Sequence, residues 1–127
     1  MKEGFTQPTF RVRKEADRLF AYLKFKGVNE GIKKEHIYEV ITTFSLEYLE
    51  KQKTKIIFKP YEPRRKVTGY SLTPSTMEQF YSYQEQSLYQ VAELAELVIY
   101  IYAIKHLSPE EISLLELHEW GIEIIEK

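Results

Sequence analysis

Seven of the sixteen residues from Lys51 to Lys66 are basic: Lys51, Lys53, Lys55, Lys59, Arg64, Arg65 and Lys66. Tyr61 lies within this run and Tyr70 just beyond it. Cations at that density can meet phosphate oxygens, and a tyrosine among them offers a ring on which an unpaired base can stack. Two smaller basic groups come earlier, Arg11, Arg13, Lys14 and Arg18, then Lys24, Lys26, Lys33 and Lys34. The residues expected to contact phosphate are Arg13, Lys55, Lys59, Arg64, Arg65 and Lys66, with Tyr61 stacking or positioning. The competing reading is a solvated basic face balanced by acids elsewhere in the chain.

Those acids are present. Residues 1–66 carry 16 of the 18 basic residues against nine acids, a net of +7; residues 67–127 carry Lys105 and Lys127 against ten Glu, a net of −8. The overall charge of −1 therefore conceals a bipolar chain. Such a division points to a polyanion or an oppositely charged protein surface as partner. It equally allows the halves to attract each other, within one chain or head-to-tail between chains.

Other chemistries find little support. With no cysteine there are no disulfides, thiolate nucleophiles or Cys-based metal sites. The histidines, His36, His106 and His118, are scattered. Glu93 and Glu96 stand three apart on what reads as the polar side of a helix, without the histidine a Glu-x-x-His metal pair would need. The five glycines never form a phosphate-cradling loop or a nucleophile elbow. The expectation is a non-enzymatic protein without metal or cofactor. The N-terminal residues lack an apolar leader, and the longest apolar run, Leu97–Ile104, is far short of the ~20 residues of a membrane span. A cytoplasmic protein with no membrane contact is the corresponding expectation.

The elements that must position the basic residues follow from periodicity. Residues 1–9 read as a loose arm. Val12, Ala16, Leu19, Phe20 and Leu23 recur at helical spacing through 10–26, with Gly27 as the closing residue. Ile37, Val40, Ile41, Phe44, Tyr48 and Leu49 mark a second helix over 33–52. Residues 54–59 and 67–72 read as two strands, forming a basic β-hairpin whose Pro60 and Pro63 bracket the turn. Thr73-Pro74 is a helix start, and the helix then runs to His106 with a weak patch at Tyr81–Tyr83. Residues 97–104 also fit a strand, being rich in Val, Ile and Tyr. Ser108-Pro109-Glu110-Glu111 is a capping box opening a last helix, which Gly121 closes before a short strand or tail.

The expected fold is α+β and mostly helical, in the order α-α-β-β-α-α, as one domain over 1–127: a basic helix-helix-hairpin half (10–72) and an acidic helical half (73–127). The expected function is a small nucleic-acid-binding or regulatory protein acting through a basic helix-hairpin surface. The alternative is a protein-interaction module, an adaptor, inhibitor or self-assembling subunit. It would use the bipolar charge and the aromatic group Phe80, Tyr81, Tyr83, Tyr89, Tyr100 and Tyr102, with the apolar helix over 88–104 as a homo-oligomer surface.

Overall fold

The computed structural model describes residues 5–52, 55–58 and 66–125. The chain is α+β and mostly helical, with two small antiparallel sheets. In order it forms β1 (Thr9–Val12), α1 (Lys14–Asn29), α2 (Ile37–Gln52, entered through a 3₁₀ turn at Lys34–His36), β2 (Lys55–Phe58), β3 (Lys66–Gly69), α3 (Pro74–Gln86), α4 (Val91–His106) and α5 (Pro109–Leu114). A 3₁₀ turn at Leu117–Trp120 then leads into β4 (Ile122–Ile125).

α4 is the centre of the molecule. Every residue from Leu94 to Ile101 is buried, as is Ala103, beneath α1, α2, α3 and β1. Because apolar side chains cover its whole circumference, it can only be satisfied by neighbours on all sides. The chain provides those neighbours itself. The strand-like composition of 97–104 yields to that burial, and the segment is helix.

The two basic-half strands form, but not as a hairpin. β3 pairs with β1, setting Lys66 opposite Val12 and Thr68 opposite Phe10. β2 pairs with β4, setting Ile56 opposite Ile124, Phe58 opposite Ile122 and Ile57 opposite Glu123. A local β2–β3 pairing would have run one basic segment along another. β2 takes its partner from the far end of the chain instead, the C-terminal strand.

Three further boundaries move. Residues 9–12 alternate exposed and buried, with Phe10 and Val12 inside, so the first helix starts only at Lys14. Thr6 makes a bridge to Leu72, with its N–H donating to the Leu72 carbonyl at 2.8 Å, so the expected loose arm is tied down from that residue. Gly27 does not end α1 but sits within it, buried; a β-carbon there would lie 2.5 Å from Ile37 Cδ1. Glycine there leaves room for the Ile37 side chain of α2 and serves no turn.

The expected 74–106 helix is two helices meeting at 114°. The break falls at 87–90, past the Tyr81–Tyr83 patch. Ser87 Oγ donates to the Gln84 carbonyl at 2.9 Å and accepts the Tyr89 N–H at 3.1 Å. Gln84 Nε2 reaches the Tyr89 carbonyl at 2.9 Å, and Glu93 Oε1 accepts the Gln90 N–H at 2.8 Å. Side chains thus satisfy the backbone groups that a continuous helix would have paired, as expected of a serine competing with its own helix. The Thr73-Pro74 start holds: Thr73 Oγ1 accepts the Thr76 N–H, and Glu39 of α2 accepts both the Thr73 N–H and hydroxyl at 2.9 Å. The Ser108 capping box forms as its spacing predicts.

The remaining core is aromatic. Tyr38 and Tyr70 stack with centroids 4.3 Å apart, and Phe10, Phe20 and Phe80 close around them. Tyr38 donates to the Ala95 carbonyl of α4 at 3.0 Å and Tyr70 to Asp17 Oδ1 at 3.3 Å. Burial pushes both phenols up, Tyr38 well above the usual range. Phe80 and Tyr100 are buried too, while Tyr81, Tyr83, Tyr89 and Tyr102 pack half-buried against the core. The aromatic group read as a docking surface is therefore mostly interior.

Candidate functional site

The expected phosphate-contacting residues separate into three groups. Lys59, Tyr61, Arg64 and Arg65 lie outside the described residues. Lys55 and Lys66 open β2 and β3, in different sheets. Lys66 is half exposed and pairs with Asp17 Oδ2 of α1 at 3.1 Å. Such an exposed pair contributes little and can exchange its anion.

Arg13 is a correction. It is 3% exposed, and its backbone N–H donates to Glu96 Oε2 at 2.7 Å while its Nε lies 3.6 Å from the same oxygen. Its guanidinium covers the ring of Trp120 at 4.6 Å, with Nη1 on the Trp120 carbonyl at 3.4 Å. Glu96 is fully buried, not on a polar helix face. A buried charge is tolerated only with a partner, and these two residues from opposite halves of the chain partner each other. Tyr70 is likewise core and not a stacking platform.

One signal for this pair was present in the sequence. Glu96 interrupts the apolar run Leu94-Ala95-Glu96-Leu97-Val98. A carboxylate inside a helix apolar on all sides demands a buried cation. Spacing alone could not say which one.

Part of the charge division is thus spent on assembling the fold. Besides Arg13–Glu96, Lys26 of α1 meets Glu111 of α5 at 2.9 Å, and Tyr22 donates its hydroxyl to the same carboxylate. Glu111 also accepts the Ser108 N–H at 3.0 Å as part of the capping box. These donors hold its carboxyl well below the usual range, at about 2, with the Tyr22 bond as the largest cause. Arg11 and Lys14 remain exposed, on β1 and at the start of α1.

Between α1 and the α5–Trp120 segment lies a cleft of about 680 Å³, within the range of ligand sites. Leu19, Leu115, Leu117 and Trp120 supply its apolar lining. Arg13, Arg18, Glu15, Glu116 and Glu119 supply its charge, and Leu114 stands 81% exposed at its edge. Glu116 has φ 55°, the left-handed region that a non-glycine residue seldom takes. Nothing in the sequence signalled this cleft, because its two walls lie about a hundred residues apart.

Among the described residues no group of three or more His, Asp or Glu could hold a metal ion. His106 stacks on Tyr102 at 3.9 Å and meets Phe44 edge-on, and His118 lies 3.9 Å from Glu119. Among the same residues no single helix is long and apolar enough to cross a membrane. No protein-family model, curated protein or solved structure matches the chain.

Proposed function

We propose that this protein is a non-enzymatic binding module that takes a nucleic acid through Arg11, Lys14 and Lys66 together with the other basic residues of the 55–65 run. The observation that carries the reading is the β1–β3 register. Lys66, the last residue of the densest basic run, stands opposite Val12, beside exposed Arg11 and Lys14. The β1–β3 pairing therefore sets Lys66 on the strand next to Arg11, and cations on neighbouring strands can meet successive phosphates. Arg11, Lys14, Lys55, Lys59, Arg64, Arg65 and Lys66 contact phosphate in this reading, and Tyr61 stacks. Arg13 has no part in it, because its charge is met by Glu96.

The test is fluorescence anisotropy with labelled single-stranded DNA and RNA and with duplex DNA, at 50 and 200 mM salt. Binding should weaken steeply with salt, each phosphate contact adding about 0.7 (single strand) to 0.9 (duplex) to the log–log slope. The double variant Arg11→Glu, Lys14→Glu should flatten that slope by about two contacts' worth. No binding to any probe at 50 mM ends the reading.

A second reading, the protein-interaction module, is favoured by the cleft and not by α4 or the aromatic residues, which are buried or half-buried against the core.

A further inference from the structure

We infer that the cleft between α1 and the α5–Trp120 segment is a docking site for a basic, amphipathic segment of a protein partner. This rests on the protein-interaction reading and is independent of nucleic-acid binding. The argument is one of charge bookkeeping within a concave, partly apolar surface. Five charged side chains line the cleft, of which two are cationic. Arg13 is neutralised from below by Glu96 and its guanidinium is covered by Trp120. What faces an incoming group is Arg18 against Glu15, Glu116 and Glu119, an acidic rim over a floor of leucines. Exposed His118 lies beside Glu119, and exposed Lys14 precedes Glu15 at the start of α1.

The rim is held in place. Glu111 ties α5 to α1 through Tyr22 and Lys26, so the two walls keep their spacing without an occupant. The left-handed Glu116 makes the chain turn at the lip between Leu115 and Leu117. A site with preset walls loses little entropy on binding. Leu114, 81% exposed at the edge of the same cleft, supplies an apolar contact that water would otherwise cover. An occupant that satisfies all of these features carries Lys or Arg for the rim and Leu-like side chains for the floor. An acidic or nucleic-acid ligand meets the wrong sign of charge.

The experiment uses the full chain and a fluorescein-labelled peptide of two Leu-Arg-Lys-Leu repeats, with a matched peptide in which Glu replaces Arg and Lys. The basic peptide should bind and the acidic one should not. Reversing the rim with Glu116→Lys and Glu119→Lys should weaken binding at least about tenfold, in line with the effect of charge reversal across an interface. Leu114→Ser should weaken it several-fold with no change in charge. Glu78→Lys with Glu85→Lys, an equal charge change on the exposed side of α3, should alter it less than about twofold. Equal losses in the α3 and rim variants would overturn the inference, since the peptide would then be reading net charge. It is also overturned if the wild type fails to bind the peptide at low salt. Self-association of the wild type that the rim variant abolishes would assign the cleft to a second copy, and overturns it as well. Circular dichroism of each variant separates these outcomes from misfolding, and loss of nucleic-acid binding in Arg11→Glu, Lys14→Glu leaves them untouched.

Discussion

Replacing either member of the Arg13–Glu96 pair should cost more stability than almost any other polar substitution in the chain. Both side chains are essentially removed from water, at 3% and 0% exposure. At 3.6 Å and an effective dielectric of about 20, their attraction is on the order of 4–5 kcal/mol, largely offset by the desolvation of both charges. Removing one partner deletes the attraction and leaves the desolvation. Glu96→Leu and Arg13→Met should therefore each cost about 3–5 kcal/mol, a large part of the ~5–15 kcal/mol typical of a domain. The double variant removes both charges and leaves chiefly the Arg13 N–H without its acceptor, at about 1–3 kcal/mol. It should be more stable than either single variant, with a coupling of several kcal/mol in the double-mutant cycle. Trp120, the only tryptophan, lies under the Arg13 guanidinium and reports the transition by fluorescence during urea unfolding. The melting midpoint of each single variant should fall by roughly 10 °C or more. Single variants costing under about 1 kcal/mol and adding without coupling would refute the buried pair.

Gly27→Ala should destabilise by about 1 kcal/mol in the wild type, because the new methyl meets Ile37 Cδ1, but should stabilise in an Ile37→Val background, where that atom is gone and helix propensity decides. Urea midpoints of the four proteins test that reversal of sign. Ser108→Ala removes the hydroxyl that accepts the Glu111 N–H at 3.1 Å and should cost about 1 kcal/mol by the same assay. Glu111 has a depressed carboxyl pKa of about 2, so its contribution is complete above the usual glutamate range and is lost as pH falls from about 4.5 towards 2. Between pH 5 and 2.5 the wild type should lose more stability than Glu111→Gln, whose side chain does not titrate; parallel losses would contradict the Tyr22–Glu111–Lys26 clamp. Gly121→Ala, at φ 76°, should cost about 1 kcal/mol through the left-handed backbone, measured as a lower urea midpoint.

What the sequence determined by itself is local. The starts of α3 and α5 were legible because Thr73-Pro74 and Ser108-Pro109-Glu110-Glu111 satisfy their own helix ends within four residues. The stripes of α1 and α2 and the all-round apolar α4 were legible because 3.6-residue periodicity needs no distant partner. β1 shows in the alternation of Thr9, Phe10, Arg11 and Val12, but Val12 also fits the helical stripe that follows.

Only the tertiary structure decided the pairings. β2 and β3 are near neighbours in sequence and still pair with opposite ends of the chain, because the buried faces of β1 and β4 needed partners more than a basic hairpin needed closing. Arg13 looks like Arg11 and Lys14 in the sequence, yet it is core while they are surface, since a carboxylate 83 residues away required a cation. The cleft has the same origin, its walls joined by packing, by Glu111 and by Arg13 against Trp120. Local hydrogen bonds and periodicity are written in adjacent residues, whereas the fate of a charge depends on which distant groups share its burial.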